Sequence, residues 1–520
     1  MMKTVTVSEM RAIEQEADRM GLTYAQMMEN AGTDLGRIVH REYHQITNRC
    51  ALGLVGSGNN GGDTLVALTD LAQRGWKVIA YLVKERSPDD LLVQRVISRN
   101  GIVISGKEDD KFHQLRIALL QSEVLLDGVL GTGIQLPLRE AIAEPLKIVQ
   151  EFRQNHKKPY VVAVDCPSGV DCDTGEVADE VIAADLTVTM AAVKVGLLKF
   201  PAYPLCGRIV VADIGLNESL PTWRDLHRFV VEKDWVQKRL PIRSDNSHKG
   251  TFGTTFILAG SENFTGAAYL AAKAAYLAGC GLVTLGVVRP VYQALAGQIP
   301  EATWLVLPDV DGYLAESSLD CLKERLPSLD ALVIGPGFGL HQSTSQLVKH
   351  LLDWGQDQLP PLVVDADGLK LLAENESWYE RLPGRTVLTP HPGEMAVLTG
   401  LSVGEIQASR VHIAETYAHR WGQVVVLKGA FTVIAEPNGR TAINPIASSA
   451  LARAGTGDIL AGLIGGLSAQ GLEAFDAAVV GVWIHAQAGL RAARRLGTAR
   501  CVLASDVLEE IPAVFCELAR

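Results

Sequence analysis

The chain has 520 residues, of which 48% are hydrophobic and 21% charged, and its formal net charge is −11. A chain of this length is expected to form about two to four domains, and its composition excludes a mainly disordered protein. Only 6% of the residues are aromatic. This content and the acidic balance exclude a nucleic-acid-binding surface as the main function. The acidic net charge does not exclude small phosphorylated ligands, because backbone amides at helix starts bind them without basic side chains.

No targeting or membrane-spanning segment is expected, since the first twenty residues lack an apolar core and later apolar runs are short. The eight cysteines are scattered, without a CxxC pair or a Cys/His metal spacing. Reduced, buried thiols are therefore expected. The sequence predicts a cytoplasmic enzyme without a membrane or nucleic-acid partner.

In the first block, strands alternate with helices. Two helices are expected before the first strand, one capped by Ser8 and one over residues 24–39. Alternation of this kind predicts βαβ units and a Rossmann-like, doubly wound parallel sheet. The predicted strands are 50–55, 77–83, 123–127, 160–165, 185–189 and 208–214.

A stretch rich in Pro, Trp and charge interrupts this alternation between residues 215 and 250, and we place a domain boundary after residue 220. Two closing helices are expected at 458–469 and 474–493. Because the two blocks share no motif, the sequence predicts two different fused α/β domains, 1–220 and 221–520. The predicted strands of the second block are 254–258, 282–288, 331–334, 362–365, 386–388 and 424–427.

The first strand is followed by a glycine-rich segment, Gly56-Ser-Gly-Asn-Asn-Gly-Gly-Asp63. It contains G-x-G-x-x-G in the strand–turn–helix context of dinucleotide-binding proteins, with Glu85 near the end of the next strand. That motif alone is weak evidence, and a simple connecting turn is the alternative. Asn59, Asn60 and Asp63 are the unusual feature, because they add two amides and a carboxylate to a loop of exposed backbone N–H groups.

Further oxygen-bearing side chains follow neighbouring strands, whose loops meet at one edge of a parallel sheet. Asn60, Asp127 and Ser168 would suit a hard cation rather than zinc, although each alone could be a cap or turn residue. The segment 131–133, Gly-Thr-Gly ahead of a helix expected at Pro137, is a second candidate phosphate cradle.

A candidate acid–base group is Asp165, which ends an apolar strand, so its carboxylate is partly removed from water. Lys194, on a neighbouring loop, is its natural charged partner. A strand-end carboxylate with only a capping role is the alternative for Asp165.

The strongest motif of the second block is Gly455-Thr-Gly-Asp458, which opens an apolar helix. Glycines at a helix start present N–H groups to an anion. An aspartate there can take a proton from a hydroxyl that is about to meet a phosphoryl group. A plain helix cap is the alternative. Supporting segments after other strands, 260–267, 335–339, 365–367, 389–394 and 428–432, favour a nucleotide-dependent enzyme acting on a hydroxyl.

These motifs resemble two known families. Asn59-Asn60-Gly-Gly-Asp63, Asp127 with Gly-Thr-Gly, and Asp165-Cys-Pro-Ser168-Gly are similar to the NAD(P)H-hydrate epimerase family. The motifs at 248–250, 335–339, 389–394 and 455–458 are similar to the ADP-dependent NAD(P)H-hydrate dehydratase family, which has a ribokinase-like fold. Their order across nearly the whole chain resembles the bacterial bifunctional NAD(P)H-hydrate repair enzymes.

For the first domain, the resemblance implies interconversion of the R and S epimers of NADHX and NADPHX, the products of water addition to the nicotinamide ring. Asp165 and Lys194 would be catalytic, and potassium would be held by Asn60, Asp127 and Ser168. The hydrate would contact Asp165 and two segments. Their residues are Asn59, Asn60, Gly61, Gly62, Asp63, Gly131, Thr132, Gly133, Ile134, Gln135, Leu136 and Pro137.

For the second domain, the resemblance implies dehydration of the S epimer with ADP as co-substrate and Mg²⁺, with Asp458 deprotonating the hydroxyl of the hydrate. The residues expected to contact the hydrate are Ala267, Gly337, Gly339 and His391. The residues expected to contact the nucleotide are Lys428, Gly429, Ala430, Phe431, Thr432 and Gly457. Thr64 departs from the family, where Gly is usual, at a position where a backbone could approach the ligand.

Two other functions fit parts of the sequence. An NAD-dependent dehydrogenase fused to a ribokinase-like small-molecule kinase would bind NAD through residues 56–61 and would need no ADP. A first domain that only binds its ligand, as a sensor or docking module, is the other alternative, and the presence of Asp165 and Lys194 favours catalysis over it. The hydrophobic N-terminal helices lead us to expect a homo-oligomer.

Overall fold

The computed structural model describes residues 2–87 and 89–519. The chain forms two compact units, Met2–His227 and a second that begins at Arg228. Each unit contains parallel strands covered by helices, which confirms the predicted α/β class. Within the described ranges, no helix combines the length and the apolar character needed to cross a membrane.

The first unit contains a seven-stranded sheet in the order β4-β3-β2-β5-β6-β7-β9, in which all neighbours are parallel. The short strands β1 and β8 also pair in parallel. The strands are β1 (Met2–Val5), β2 (Cys50–Val55), β3 (Lys77–Leu82), β4 (Ile102–Ser105), β5 (Val124–Gly128), β6 (Tyr160–Val164), β7 (Leu186–Met190), β8 (Val193–Lys194) and β9 (Arg208–Ala212). The helices are α1 (Val7–Arg19), α2 (Tyr24–Tyr43), α3 (Asn59–Gln73), α4 (Leu91–Ser98), α5 (His113–Gln121), α6 (Glu140–Asn155) and α7 (Pro221–Arg224).

Strand order reverses between β2 and β5, and the loops that follow these two strands diverge there. Such a switch point opens a crevice at the carboxyl edge of a parallel sheet, which is where ligands bind in this class. Both faces of the sheet are covered, because side chains alternate along each strand. In β2, Ala51 and Val55 pack under α1, α2 and α3, whereas Leu52 and Leu54 pack under α5 and α6.

The apolar faces of α1 and α2 pack into the core of their own unit. The buried residues are Met10, Ile13, Ala17, Met27, Ala31, Leu35, Ile38 and Val39. The hydrophobic character of these helices, which led us to expect a homo-oligomer, is thus accounted for inside the unit. Oligomerisation stays a prediction.

Three local expectations in the first unit are wrong. Helix α1 is capped by Thr6 rather than Ser8, because Thr6 Oγ1 accepts the Glu9 N–H at 3.2 Å and Glu9 Oε2 accepts the Thr6 N–H at 2.7 Å. The helix expected at Pro137 begins only at Glu140. The segment 59–63, expected in a loop, forms the first residues of α3.

The main sheet of the second unit has the order β13-β12-β11-β16-β17-β18-β19-β20-β21-β10. It is parallel from β13 to β19, and antiparallel pairs join β20 to β19 and to β21. The strands are β10 (Arg228–Val230), β11 (Thr254–Leu258), β12 (Leu282–Val288), β13 (Thr303–Leu307), β14 (Asp309–Val310), β15 (Tyr313–Leu314), β16 (Ala331–Ile334), β17 (Leu362–Val364), β18 (Thr386–Leu388), β19 (Val424–Leu427), β20 (Val433–Ala435) and β21 (Thr441–Ile443). The helices are α8 (Lys233–Gln237), α9 (Thr265–Leu277), α10 (Arg289–Leu295), α11 (Ser318–Lys323), α12 (Gln342–Trp354), α13 (Asp367–Ala373), α14 (Pro392–Thr399), α15 (Val403–Ala408), α16 (Arg410–Trp421), α17 (Thr456–Ala469), α18 (Ala474–Arg495) and α19 (Ala504–Leu518).

The second unit closes with three helices rather than the expected two, since α19 follows α18. Apolar residues recur along α19 at helical spacing and are buried: Val507, Leu508, Ile511, Val514 and Leu518. This periodicity is visible in the sequence and is the signal that identifies the helix.

Helices α17 and α9 pack closely because glycines of α17 face the α9 backbone. A Cβ added to Gly462 would lie 2.1 Å from the Ala271 carbonyl oxygen, and one added to Gly466 would lie 2.6 Å from that of Ala275. This packing fixes the start of α17, where the Gly-Thr-Gly-Asp motif lies.

We predict that Gly462→Ala lowers the free energy of unfolding of the second unit by about 1–3 kcal/mol, the usual cost of overpacking. Alanine improves helix propensity by only about 1 kcal/mol, which a clash with backbone outweighs. Chemical denaturation followed by circular dichroism measures the change. Gly297→Ala is the control, because a Cβ there meets no atom within 4 Å. Equal stability of both variants would contradict the close packing.

Candidate active sites

A cavity of about 870 Å³ lies in the first unit, where the loops after β2 and β5 and the end of β6 meet helices α1 and α2. Its volume is typical of small-molecule sites. Methionines 10, 27, 28 and 190 form much of its apolar wall. The predicted site residues that line it are Asn59, Asn60, Asp63, Gly131, Thr132, Gly133, Asp165 and Lys194.

Asp165 and Lys194 form a buried ion pair beside this cavity. Lys194 is 1% exposed, and its ammonium group donates to Asp165 Oδ1 and to the Met190 carbonyl, the latter at 2.8 Å. Asp165 Oδ1 also accepts the Met190 N–H at 3.0 Å and the Thr189 hydroxyl at 3.1 Å. Burial acts to lower the pKa of Lys194, but the Asp165 carboxylate outweighs burial and raises it. Lys194 therefore stays charged and holds Asp165 in place.

Two further carboxyl groups face the same cavity, Asp63 from α3 and Glu14 from α1. Burial, followed by the negative charges of Asp165 and Glu14, raises the pKa of Asp63 well above its usual range. Burial also raises the pKa of Glu14, against the opposing effect of Lys194. Asp63 is therefore suited to donate a proton, and Glu14 is a site residue that sequence reasoning missed. An acidic residue on an amphipathic helix gives no signal that separates it from a solvated surface group.

Two of the predicted hydrate-binding glycines, Gly61 and Gly62 in α3, have packing roles. A Cβ on Gly61 would lie 2.1 Å from the Gly56 carbonyl oxygen, and one on Gly62 would lie 2.6 Å from Met28 Sδ. Neither glycine lines the cavity. The parts of this segment that line it are Asn59, Asn60 and Asp63. Residues 134–137 also lie outside the cavity lining, in the segment before α6.

The predicted cation residues form a compact group of oxygen atoms. Asp127 is fully buried, its Oδ2 accepts the Ser168 N–H at 2.8 Å, and its Oδ1 has no hydrogen-bond partner among the described residues. Asn60 Nδ2 donates to the carbonyls of Leu130 and Val164, each at 2.8 Å. Burial raises the pKa of Asp127. A buried carboxylate oxygen without a partner fits a cation that binds oxygen ligands.

In the second unit, the predicted residues meet around Lys428. Its Nζ lies 2.6 Å from Asp365 Oδ1 and 3.6 Å from Glu394 Oε2. A Cβ added to Gly457 would lie 3.4 Å from the same Nζ, so the start of α17 adjoins this pair. Burial acts to lower the pKa of Lys428, but Asp365 and Glu394 raise it. A positive charge is thus fixed where an anionic ligand would meet the amides of α17.

Asp458, the predicted acid–base residue of this site, lies in the first turn of α17. Burial, followed by the negative charge of Asp365, raises its pKa to about 7, against the opposing effect of Lys428. A carboxyl group with such a pKa can act as a general base near neutral pH. His485 is a neighbour that sequence reasoning missed; it is buried on α18, and burial lowers its pKa to about 4. His485 interacts with the backbone of Thr456, at the start of α17. Nothing in the mostly apolar sequence of α18 indicates this interaction.

The predicted hydrate-binding residues of the second unit fall into different settings. Gly337 and Ala267 are adjacent, since a Cβ on Gly337 would lie 2.8 Å from Ala267 Cβ. The Gly339 N–H donates to Asp367 Oδ2 at 3.0 Å. His391 caps α14, because its Nδ1 accepts the Gly393 N–H at 2.9 Å, and its side chain remains half exposed.

The predicted nucleotide segment, 428–432, connects β19 to β20. Phe431 has a positive φ of 54° and a buried side chain, and its N–H donates to the Ile446 carbonyl at 3.1 Å. Thr432 Oγ1 donates to the Gly429 carbonyl at 2.9 Å. Arg410, which sequence reasoning missed, supports this segment from α16 by donating to the carbonyls of Leu427 and Lys428 at 2.8 and 3.2 Å. Burial lowers the pKa of Arg410 to about 10.

Residues 24–196 match the family model described as the YjeF-related protein N-terminus, and residues 255–513 match the model described as NAD(P)H-hydrate dehydratase. The chain is 39% identical to the bifunctional NAD(P)H-hydrate repair enzyme Nnr of Moorella thermoacetica, over 99% of this chain and 97% of that protein. The chain belongs to the bifunctional NAD(P)H-hydrate repair enzyme family.

Another member of this repair family, from Escherichia coli, is 33% identical over 96% of this chain and 91% of its own length. Among solved structures, the ADP/ATP-dependent NAD(P)H-hydrate dehydratase of Bacillus subtilis, co-crystallized with ATP/Mg²⁺, is 33% identical. The superposition covers 56% of this chain and 98% of the Bacillus subtilis chain, with a TM-score of 0.48.

Membership of the repair family counts against the dehydrogenase–kinase fusion, and the first site agrees. Glu85, the acidic residue that a dinucleotide site would use for ribose, forms an exposed ion pair with Lys107 at 3.3 Å.

Thr64, which differs from the family's usual Gly, does not face the cavity. It is fully buried, and a Cβ on Gly128 or on Gly53 would lie 1.8 or 2.8 Å from its side chain. Glycines in β2 and β5 thus make room for it.

Proposed function

We propose that this chain repairs hydrated nicotinamide cofactors in two steps, as an isomerase and a lyase. The first unit interconverts the R and S epimers of NADHX and NADPHX, and the second dehydrates the S epimer with ADP as co-substrate. The observation that carries the proposal is that each unit has carboxyl groups with raised pKa values beside a lysine–carboxylate pair that is fully or mostly buried. Family membership supports the same pair of activities. A cytoplasmic location and homo-oligomerisation remain part of the proposal.

Epimerisation inverts the ring carbon that carries the hydroxyl group and adjoins the ring nitrogen. Such a reaction needs an acid and a base on opposite faces of the ring. Asp165, paired with Lys194, is the proposed base, and Asp63, whose pKa is raised, is the proposed acid. Asn60, Asp127 and Ser168 would hold K⁺, whose charge would balance the buried Asp127 carboxylate. The adjoining residues 59–63 and 131–137 are the proposed hydrate-binding segments.

Dehydration requires the hydroxyl group of the S epimer to become a better leaving group. Asp458 is proposed to take the hydroxyl proton while the oxygen attacks the terminal phosphoryl group of ADP, which releases AMP. The C–O bond then breaks, phosphate departs, and loss of a proton from the adjacent carbon restores the ring double bond. The amides at the start of α17, with Gly457, and the Lys428 ammonium would stabilise the phosphoryl charge.

The remaining residues of the second site have supporting roles in the proposal. Residues 428–432 would hold the adenine nucleotide, and Ala267, Gly337, Gly339 and His391 would contact the hydrate. Mg²⁺ is usually bound by one or two carboxylates together with substrate phosphates. The described residues contain no cluster of three carboxylate, His or Cys side chains that could hold a metal ion. One or two carboxylates, Asp458 and Asp365, would therefore hold Mg²⁺ together with the phosphates, and its charge would neutralise phosphate charge.

We predict that two variants separate the two activities. With mixed R and S NADHX and ADP, the wild-type chain recovers the reduced-nicotinamide absorbance of both epimers. Asp458→Asn is expected to slow recovery by about 10²-fold or more while epimerisation continues, because only the dehydration base is lost. Asp165→Asn is expected to convert the S fraction and then stop, apart from spontaneous epimerisation. Recovery at the wild-type rate in Asp458→Asn would refute the role of Asp458.

We also predict a specific pH dependence of dehydration, measured as kcat/KM on pure S epimer. Because Asp458 must be ionised to act as a base, and its pKa is raised to about 7, the rate should increase as the pH rises through about 7. Asp365→Asn removes a negative charge that raises this pKa, so the midpoint should move to lower pH. Asp320→Asn, at an exposed carboxylate on α11, is the control and should leave it unchanged. A midpoint that Asp365→Asn does not move would contradict this coupling.

For the cation, we predict that K⁺ stabilises the first unit of the wild-type chain but not that of Asp127→Asn. A ligand at ten times its Kd adds about 1.4 kcal/mol to the free energy of unfolding. Calorimetry in KCl, with choline chloride keeping ionic strength constant, measures the rise in Tm. An equal rise in both proteins would show that the Asp127 group does not bind K⁺.

A further inference from the structure

The inference below rests on the proposed function of the first unit. Net epimerisation in one direction leaves one proton on the base instead of the acid after each turnover. The acid on one face protonates the hydroxyl group, the C–O bond breaks with its electron pair going to oxygen, and water leaves. The lone pair of the ring nitrogen forms a C=N bond in the same step. Water then adds to the opposite face, the C=N pair returns to nitrogen, and the base there takes the proton.

One proton has therefore moved from the acid to the base when R becomes S. A reverse turnover would return it, but removal of the S epimer by dehydration drives the reaction in one direction. The proton must then travel back from the base to the acid before the next R epimer reacts. A third exchangeable group that reaches water would allow this reset.

The acid and the base of the first site have little contact with bulk water. Asp63 is 8% exposed and Asp165 is 9% exposed. Glu14 is only half buried, lines the same cavity, and interacts electrostatically with Asp63, Asp165 and Lys194. The carboxyl groups of Glu14 and Asp63 form no hydrogen bond or ion pair with residues 2–87 or 89–519, so both are available for proton exchange.

Helix α1 holds Glu14 at a defined position. Its start is fixed by the Thr6–Glu9 capping interactions and by the Val7 N–H, which donates to Asp173 Oδ1 at 2.8 Å. Met10, one turn before Glu14, lines the same cavity, which places this face of α1 against the site. The charged groups that face Glu14 are Arg11 on its own helix, Asp63 on α3, Asp165 after β6 and Lys194 on β8.

We propose that Glu14 is the proton relay of the epimerase site, exchanging protons with water and returning them between Asp165 and Asp63. A relay has a kinetic signature that a structural residue lacks. Net conversion of R to S needs the reset at every turnover, whereas exchange between the epimers at equilibrium alternates direction and needs none.

The test compares these two rates in Glu14→Gln. Net flux is measured from pure R epimer. An excess of the Asp165→Asn chain, with ADP and Mg²⁺, removes the S epimer as it forms. The buffer is dilute and too bulky to enter the cavity, so that it cannot carry protons to the site. Equilibrium exchange is measured without ADP. A trace of deuterated R epimer is added to an equilibrated mixture of R and S, and the rate at which deuterated S epimer appears is followed. We expect net flux to fall about tenfold or more, equilibrium exchange to stay within about twofold of wild type, and added imidazole to restore the net flux.

Three controls accompany this variant. Glu16→Gln changes the same residue type on the same helix, at a carboxylate that accepts the Thr222 N–H at 3.0 Å outside the cavity, and should behave as wild type. Glu14→Asp keeps a carboxyl group and should retain most of the net flux. Equilibrium exchange by each variant reports whether the first unit is folded, and dehydration of pure S epimer reports the same for the second.

Several outcomes would overturn the relay. Equal slowing of net flux and equilibrium exchange would assign Glu14 a structural or binding role, and unchanged net flux would leave it without a role. Failure of imidazole to restore net flux would also count against it. If the wild-type chain shows no epimerisation above the spontaneous rate, the proposed function of the first unit fails instead.

Discussion

In each unit, a lysine that is fully or mostly buried pairs with a carboxylate that directly follows a parallel strand. Lys194 binds Asp165 after β6, and Lys428 binds Asp365 after β17. Burying such charges is costly, and removing one partner of a buried pair typically destabilises a protein by about 3–5 kcal/mol. The strand ends must therefore keep both partners in contact. The loops that carry the other site residues are positioned around these pairs.

Neither lysine neutralises all the carboxyl groups around it, and this imbalance supplies the acid–base chemistry. In the first unit, Asp63 and Glu14 share the region of the Asp165–Lys194 pair, and both have raised pKa values. In the second, Asp458 is left without a cation of its own beside Asp365 and Lys428. Groups whose surroundings push their pKa values apart can divide acid and base roles at one pH. The buried pair thus both organises the site and creates the field that tunes its neighbours.

The sequence predicts central strands well, because buried parallel strands are short apolar runs. The strands predicted at 50–55 and 282–288 match the structure to the residue. Short or peripheral strands such as β1 and β10 lack that signal. Motif residues at strand ends were found for a similar reason, since loops after parallel strands meet at one edge. Glu14, Arg410 and His485 lie on helices outside the motifs that follow the strands. Only tertiary packing brings them to the sites, so no local pattern identifies them.

The helix starts show which electrostatic effect dominates. Asp63 and Asp458 lie near the N-termini of α3 and α17, where the helix dipole stabilises a carboxylate by about 0.3–1 kcal/mol. That stabilisation lowers a pKa by less than about 1. Burial and neighbouring carboxylates instead raise the pKa of Asp458 to about 7. Close packing is what makes burial prevail, because Gly62 and Gly462 let these helices press against Met28 and the α9 backbone. Gly62 and Gly462 therefore help to exclude water from the carboxyl groups beside them.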